Sequence, residues 1–267
     1  MKQLGVFFTV ILICTCSGTR GGISMTGPDI RPETLTYRIV RSFPHAPLSF
    51  TQGLVYKDGV LYEGTGQRGQ SVLRKIDPSN GRIIEEVKLP RDIFGEGITI
   101  QNDKIYQLTW TSLNGFIYDL TSLKLLRTFT FPLPIEGWGL TTDGKDLIWS
   151  DGSSTLYFIQ PETMKVKKRL TVTLQGRPIA SINELEYING QIFANVWQTE
   201  SIIRIDPKSG RINGILDLSA LTPSVYKGHG DYVLNGIAYN PQNGHLFITG
   251  KMWPQFHEIS IGDQTLK

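Results

Sequence analysis

Glu96, Asn183 and Lys251 lie far apart in the sequence but at related positions of an internal repeat. A carboxylate can carry a proton between reacting atoms, and an amide or amine can donate hydrogen bonds to an oxygen that gains negative charge. Three tryptophans at similar positions add apolar surface: Trp110, Trp138 and Trp197. Together these side chains suit a water-poor pocket for a polar group, provided that the fold brings them to one point.

The element that repeats is a short apolar strand that begins beside a glycine and is followed by a polar turn. Five copies start 44, 42, 45 and 52 residues apart. They cover residues 52–56, 96–100, 138–142, 183–187 and 235–239. The turn pairs Asp58-Gly59 and Asn189-Gly190 are examples of residues that tolerate the positive φ of tight hairpins.

Each repeat unit has room for four short strands, and four strands in about 40 to 45 residues is the period of a propeller blade. No stretch shows a sustained helical period of apolar residues, which argues against a helical solenoid. The sequence therefore predicts an all-β fold, a five-bladed β-propeller.

The last repeat unit is incomplete, since it has three predicted strands, at residues 235–239, 246–249 and 256–259. Residues 35–41 form a spare strand ahead of the first unit. Pairing the spare strand with the incomplete unit removes two exposed sheet edges. We therefore expect the N-terminal strand to close the last blade.

The first strand of each blade lines the central channel of a propeller, so equivalent positions form a ring. The position before the first-strand glycine, or its equivalent, holds a side chain that can form hydrogen bonds in every unit: Gln52, Glu96, Trp138, Asn183 and Asn235. The ends of the second strands predict another ring: Trp110, Asp151, Trp197 and Lys251. Trp149 and Trp253 are interpreted as packing between blades.

Each of these residues also has a purely structural interpretation. A tryptophan can pack between blades, Glu96 can balance the charge of Lys251 or of a cation in the channel, and Asn183 can cap a strand end. The convergence of several polar side chains favours a binding site, because buried polar groups carry a desolvation cost unless they find a partner.

The composition is that of a globular protein, with 19% charged residues, 40% hydrophobic residues and a net charge of +3. This charge is too small and too evenly spread to indicate nucleic-acid binding, and the basic residues at 165–169 are assigned to the solvated face of an outer strand. The histidines show no metal-ligand spacing: His45, His229, His245 and His257. The insert at 226–230 is interpreted as a surface loop, with a lid over the pocket as the alternative.

The N-terminal residues are expected to lie outside the folded domain. Residues 1–16 have the charge and apolar run of a signal peptide and contain both cysteines, so the mature chain would hold no disulfide. The segment around Cys16 resembles a loose lipoprotein box, although Thr15 is larger than the usual residue; ordinary cleavage is the alternative. Residues 17–33 then form a flexible tether and residues 34–267 the propeller.

These features predict an exported protein, periplasmic or envelope-anchored in a bacterium. A lipid on Cys16 would be its contact with the membrane. We expect a monomer with no nucleic-acid partner.

The stretches that carry the predicted pocket resemble the glutamine cyclotransferase family of plant and bacterial type. The matching stretches run from residue 50 to residue 254: Phe50-Thr51-Gln52-Gly53-Leu54, Phe94-Gly95-Glu96-Gly97, Trp110 with Gly115-Phe116-Ile117-Tyr118-Asp119, Glu136-Gly137-Trp138-Gly139-Leu140, Asn183-Glu184-Leu185-Glu186-Tyr187, Ala194-Asn195-Val196-Trp197, Leu234-Asn235-Gly236-Ile237-Ala238 and Thr249-Gly250-Lys251-Met252-Trp253-Pro254. Any one of them is weakly specific, but together and in order they are specific.

The resemblance implies a five-bladed propeller that converts the N-terminal glutamine of peptides and proteins to pyroglutamate, with no metal or other cofactor in catalysis. A structural cation in the channel is left open. Glu96 matches the family's catalytic carboxylate, and Asn183 and Lys251 match its polar partners. The remaining family positions form the pocket and its wall: Gln52, Trp110, Trp138, Trp197, Phe50 and Phe94.

The implied chemistry suits these side chains. The α-amine of the N-terminal glutamine attacks the γ-amide of the same residue, which is easy once the side chain is bent. Glu96 would take a proton from the amine and deliver it to the departing ammonia. Lys251 and Asn183 would hold the γ-oxygen.

Two other functions remain open from the residues alone. A non-catalytic propeller that binds peptides or sugars needs the aromatic pocket but not a carboxylate beside a lysine. A metal-dependent hydrolase or lactonase needs several carboxylates or histidines at the axis. In this sequence the first ring offers only one carboxylate, Glu96, although Asp151, Glu184 and Glu186 are nearby.

Overall fold

The computed structural model describes residues 31–262 of the chain. The predicted signal segment, Cys16 and the tether as far as residue 30 lie outside the described residues. Strand β1 (Glu33–Pro44) begins the described fold and is followed by three four-stranded sheets. The first sheet contains β2 (Thr51–Lys57), β3 (Val60–Thr65), β4 (Val72–Ile76) and β5 (Ile83–Lys88). The second contains β6 (Gly95–Gln101), β7 (Lys104–Thr109), β8 (Asn114–Asp119) and β9 (Leu125–Thr130).

The third sheet contains β10 (Leu140–Thr142), β11 (Leu147–Ser150), β12 (Thr155–Gln160) and β13 (Lys165–Thr171). A short hairpin of β14 (Thr173–Leu174) and β15 (Arg177–Pro178) follows. The fourth unit is β16 (Ile182–Ile188), β17 (Gln191–Val196), β18 (Ser201–Ile205) and β19 (Ile212–Asp217). The last strands are β20 (Leu234–Asn240), β21 (His245–Gly250) and β22 (Gln255–Gly262), preceded by a 3-10 helix at Ser224–Tyr226. The predicted all-β fold is confirmed.

The predicted turn residues make the hairpins. Asp58 and Gly59 have φ values of 49° and 86°, and Asn189 and Gly190 have values of 48° and 82°. Two successive residues with positive φ match the twist of antiparallel strands, so these pairs can connect strands directly.

The N-terminal strand pairs as the sequence predicted. β1 runs antiparallel to β22, from Thr36 opposite Gly262 to Pro44 opposite Gln255. It also runs parallel to β19 over residues 33–35, a contact that the repeat pattern did not predict. Because β1 is twelve residues long, it can reach both strands, and it joins the last two units in one eight-stranded sheet.

Burial decreases from the first strand of a unit to the fourth. All five residues of β4 are buried, whereas β5 has no buried residue. The inner strands are therefore covered on both faces, as neighbouring sheets pack against each other. Lys165, Lys168 and Arg169 lie exposed on the fourth strand β13, as expected for a solvated outer strand.

Apolar side chains in the described residues form five clusters, each between neighbouring units. Trp149 lies in the cluster between the second and third sheets, and the centre of its ring is 4.2 Å from the centre of the Phe131 ring. Trp253 lies in the cluster between the last two units. Both tryptophans are 2% exposed or less, so their predicted packing role is confirmed.

The first strands of the five units contact one another in a closed cycle: β2 with β6, β6 with β10, β10 with β16, β16 with β20 and β20 with β2. The residues that precede or begin these strands therefore meet around one axis. Across residues 31–262 there is no helix with the length and apolar character required to cross a membrane.

Candidate active site

Glycines allow the first strands to approach each other closely. A Cβ atom on Gly97 would lie 2.5 Å from the Trp138 carbonyl oxygen, and one on Gly139 would lie 1.9 Å from the Asn183 carbonyl oxygen. Neighbouring backbone occupies this space, so a side chain there would force the sheets apart. Successive side chains of a strand point to opposite sides. The residues before these glycines, Glu96 and Trp138, are therefore free to point into the central cavity.

The fourth unit has Glu184 at the position of this glycine. Its Oε1 accepts a hydrogen bond from the Leu54 amide at 3.2 Å, and its Oε2 accepts one from the Ile237 amide at 2.9 Å. One side chain thus bridges the first strands of the first and last units. Burial and the nearby Glu186 raise the pKa of Glu184 well above its usual value.

Left-handed backbone positions follow the second strands. The residues that adopt φ values of 64° to 79° there are Gln67, Gly152, Gln198 and Met252. Two of them directly follow predicted pocket residues, Trp197 and Lys251. Such a conformation turns the chain sharply and is costly for residues other than glycine, so it is found mainly where a site requires it. Here it fixes the direction in which the preceding side chain leaves the backbone.

A cavity of about 470 Å³ lies where these elements converge. All nine predicted site residues line it: Phe50, Gln52, Phe94, Glu96, Trp110, Trp138, Asn183, Trp197 and Lys251. Three further lining residues were not predicted: Gln67, Asp231 and Tyr232. Asp231 and Tyr232 directly follow the insert at 226–230 in the loop between β19 and β20, where the repeat gives no register from which to place a side chain.

Two members of the predicted rings lie behind the cavity wall. Asp151 accepts hydrogen bonds from Ser153 and from the Tyr157 hydroxyl, so it organises a turn and does not line the cavity. Asn235 donates from Nδ2 to the Thr51 carbonyl at 2.9 Å and to Gln52 Oε1 at 3.3 Å. The prediction that Asp151 and Asn235 face the cavity is therefore wrong, because hydrogen bonds within the wall hold both side chains.

Glu96 is 4% exposed, and its Oε1 accepts a hydrogen bond from Gln52 Nε2 at 2.8 Å. Burial raises the pKa of Glu96 well above its usual value. Lys251 opposes this shift and the charge of Glu136 adds to it, while the hydrogen bond from Gln52 lowers the pKa. A carboxyl group with a raised pKa is both a stronger base when ionised and a ready acid when protonated.

Lys251 is 5% exposed, and its Nζ lies 4.9 Å from the centre of the Phe50 ring. Burial lowers the pKa of Lys251, and the charges of Glu96 and Asp231 partly offset this effect. Within the described part of the chain, no nitrogen–oxygen contact of 4.0 Å or less joins Lys251 to Glu96. The acid and the amine therefore line one cavity without forming an ion pair.

Asn183 presents an amide to the same cavity. Its Oδ1 is fully buried and has no hydrogen-bond partner among residues 31–262. Its backbone carbonyl accepts a hydrogen bond from Ser150 at 2.7 Å, which fixes the strand next to the third sheet. Asn183 lines the cavity, and the Nδ2 of its amide is a group that can donate a hydrogen bond there.

Glu136 orients two indole rings of the wall. Its Oε2 accepts hydrogen bonds from Trp110 Nε1 at 2.7 Å and from Trp138 Nε1 at 2.8 Å. Trp138 packs edge-to-face on Trp197, with ring centres 5.7 Å apart. Glu136 was not predicted, although it stands two residues before Trp138 in one of the quoted stretches; its role depends on Trp110 in the neighbouring sheet.

Phenylalanines continue the wall. Phe94 lies 5.5 Å from Trp110 and 6.0 Å from Phe50, both in edge-to-face geometry. The aromatic rings therefore form a continuous apolar surface around one side of the cavity. Such a surface excludes water and strengthens the electrostatic interactions of the polar groups opposite it.

The arrangement combines a buried carboxyl group with two potential hydrogen-bond donors in a pocket that has an aromatic wall. Such a site can move a proton at one atom while it stabilises negative charge at another. Among residues 31–262 no cluster of three or more His, Cys, Asp or Glu side chains is placed to hold a metal ion.

Known proteins are similar to this chain in sequence and in fold. Residues 10–261 match the family described as glutamine cyclotransferase. A glutaminyl-peptide cyclotransferase of Arabidopsis thaliana is 40% identical over 266 residues, covering 98% of this chain and 82% of that protein. The crystal structure of Myxococcus xanthus glutaminyl cyclase is similar with a TM-score of 0.80 and 36% identity, covering 87% of this chain and 99% of that one.

Proposed function

The chain belongs to the glutamine cyclotransferase family, and we propose that it converts the N-terminal glutamine of peptides to pyroglutamate with Glu96 as the group that transfers the proton. The observation that carries this proposal is the position of Glu96. It is buried, held by Gln52, and faces Lys251 and Asn183 across a cavity without an ion pair.

The first task of the site is to bend the substrate. The aromatic wall holds the methylene groups of the glutamine side chain, and the α-amine is brought towards Glu96. A bent side chain places the amine close to its own γ-carbonyl carbon, so much of the entropy of ring closure is lost on binding and not in the chemical step.

The chemical step exchanges one carbon–nitrogen bond for another. The neutral α-amine attacks the γ-carbonyl carbon, and Glu96 as carboxylate takes the proton that the new ring nitrogen loses. Glu96 then gives this proton to the side-chain nitrogen. The bond from that nitrogen to the carbonyl carbon breaks, and ammonia leaves. Atoms and charge balance because the proton lost by the amine leaves with the ammonia.

The donors stabilise the intermediate. Attack on the carbonyl places negative charge on the γ-oxygen, and we expect Lys251 Nζ and Asn183 Nδ2, which line the cavity, to donate hydrogen bonds to it. A lysine with a lowered pKa still donates a hydrogen bond when it is neutral. Because side chains transfer the proton and stabilise the negative charge in this scheme, we propose that catalysis needs no metal ion.

The architecture that supports this site is, we propose, a five-bladed β-propeller closed by β1. Two observations support it: the closed cycle of contacts between first strands, and the five apolar clusters between neighbouring units. We further propose that residues 34–267 form one domain that acts as a monomer.

We also propose that the protein is exported and carries a lipid on Cys16. The support is the signal-like composition of residues 1–16 and the sequence around Cys16. Labelled palmitate should be incorporated into the protein and not into the Cys16→Ser variant. Incorporation into neither protein would contradict the anchor and leave the enzymatic proposal untouched.

Ammonia release tests the activity. A Gln-Ala peptide should release ammonia, whereas the same peptide with an acetylated α-amine should not, because its nucleophile is blocked. The rate should be unchanged after treatment with EDTA. Equal ammonia release from the acetylated peptide would contradict cyclisation, and loss of activity that returns with added metal would contradict metal independence.

A further inference from the structure

A second cavity, of about 600 Å³, opens beside the first, and Tyr232 lines both. Its walls come from residues 198–200 after β17 and from residues 222–234 between β19 and β20. Gln198 in this cavity directly follows Trp197 in the first. The two cavities are therefore neighbours that share part of their wall.

The insert that forms this cavity is built as an ordered surface. The His229 ring stacks on Tyr232 with centres 3.9 Å apart and planes 5° apart, and Tyr226 meets Tyr232 edge-to-face at 5.2 Å. His229 Nδ1 accepts hydrogen bonds at 3.2 Å from the amides of Asp231 and Tyr232. The Tyr232 carbonyl accepts a hydrogen bond from Trp253 Nε1 at 3.1 Å, which ties the insert to the core.

The residues around the second cavity include a buried hydroxyl group without a hydrogen-bond partner among residues 31–262. Thr222 lines this cavity and is 8% exposed, and Thr222 Oγ1 is fully buried without a hydrogen-bond partner among residues 31–262. A buried hydroxyl without a partner costs free energy, which a hydrogen bond to a ligand in the cavity would recover. Glu200 and Lys227 add one charge of each sign. This mixture suits the alternating donors and acceptors of a peptide main chain better than an apolar ligand.

The main chain of a peptide substrate must leave the first cavity, and the second cavity lies beside it. With the α-amine and side chain of glutamine in the first cavity, its carbonyl group must continue through the opening to the second residue. An extended chain advances by about 3.3 Å per residue. Because Tyr232 lines both cavities, a peptide that leaves the first cavity past Tyr232 would run along the second.

We propose that the second cavity binds the main chain of the residues that follow the N-terminal glutamine, so that extended peptides are preferred over glutamine amide. This inference rests on the proposed function. It assigns Thr222 and the aromatic group of Tyr226, Tyr232 and His229 to substrate binding, outside the reacting centre.

The test compares kcat/KM for glutamine amide and for a pentapeptide that begins with glutamine. The wild-type ratio of pentapeptide to amide should exceed about tenfold, and Thr222→Val and Tyr226→Ala should each lower that ratio several-fold. Val225→Ala is a matched control. Val225 lies in the same segment but is 78% exposed and does not line the cavity, so the ratio should stay at the wild-type value.

Equal kcat/KM for the two substrates in the wild type, or an equal loss for both in Thr222→Val and Tyr226→Ala, would overturn the inference while the cyclisation itself stands. Calorimetric binding of the pentapeptide to Glu96→Gln separates the two proposals further. Tighter binding than glutamine amide that weakens when Tyr226→Ala is added supports the second cavity even if no ammonia is released by the wild type. Equal binding of both ligands contradicts it.

Discussion

Gln52 Nε2 donates a hydrogen bond of 2.8 Å to Glu96 Oε1, across the contact between the first two sheets. Gln52 is itself held, since its Oε1 accepts a hydrogen bond from Asn235 Nδ2. A chain of amides therefore fixes the carboxyl group that we propose as the proton carrier. The position of Glu96 depends on three of the five units.

Removal of this support should change the pH profile. In Gln52→Leu, loss of the hydrogen bond raises the pKa of Glu96 further, because that bond stabilises the ionised form. The acid limb of kcat/KM should move to higher pH, and kcat/KM at its optimum should fall about tenfold. Gln67→Leu is the control, because Gln67 lines the same cavity and makes no hydrogen bond to Glu96 among the described contacts. An unchanged acid limb in Gln52→Leu would show that Gln52 does not tune Glu96.

Glu136 should act on Glu96 in the opposite direction. Its negative charge raises the pKa of Glu96, so Glu136→Gln should lower that pKa and move the acid limb of kcat/KM to lower pH. Glu136→Ala should also raise KM, since both indole hydrogen bonds are lost. The exposed Glu162→Gln removes the same charge at a distance and should leave the profile in place. A shift to higher pH in Glu136→Gln would refute the charge effect.

Gly152 should be required for the shape of the wall. It has φ of 79°, and a Cβ there would lie 2.7 Å from the Trp138 ring. Gly152→Ala should cost about 1–2 kcal/mol of stability through the backbone and should in addition raise KM by displacing the ring. Gly144→Ala isolates the backbone effect, because φ is 86° and nothing lies within 4 Å of the added atom. Both variants are compared by urea unfolding and KM; an equal KM in the two would contradict the packing argument.

The buried carboxyl of Glu186 should make stability depend on pH. Burial raises the pKa of Glu186 from 4.5 to about 8, while its hydrogen bond from the Tyr239 amide favours the ionised form. The folded state therefore binds the proton more tightly than the unfolded state. The contribution of Glu186 to the free energy of unfolding is fully present below pH 4.5 and is lost as the pH rises to about 8. The free energy of unfolding decreases by at most about 1.4 kcal/mol per pH unit in this range.

Urea unfolding of Glu186→Gln between pH 5 and pH 8 measures this effect. The variant keeps a side chain of similar shape without the ionisation, so its stability should vary less with pH than that of the wild type. The exposed Glu162→Gln provides the control and should follow the wild type. A steeper dependence in Glu186→Gln would contradict the raised pKa.

Much of the fold could be predicted because local chemistry repeats. Turn pairs such as Asp58-Gly59 fix hairpins, and the missing strand of the last unit required a partner that residues 35–41 could supply. The same repeat placed Glu96, Asn183 and Lys251 on one cavity, since equivalent positions around an axis must converge.

The rest could not be predicted because it depends on contacts without a repeat. The parallel pairing of β1 with β19 depends on the extra length of β1, and Glu136 acts through an indole from another sheet. Asp231 and Tyr232 line the first cavity from the loop between β19 and β20, which carries an insert that occurs in one unit. Asp151 stands at a repeat position, but nearby hydroxyl groups hold its carboxylate in a turn.

Turnover by Glu96→Gln tests the central claim most directly. The variant keeps the size of the side chain and its place beside Gln52 but cannot accept and return a proton. With a Gln-Ala peptide, kcat from ammonia release should fall by about 100-fold or more, while calorimetric binding of the peptide stays within a few-fold of the wild type. Wild-type kcat in this variant would contradict the assignment of Glu96 as the proton carrier.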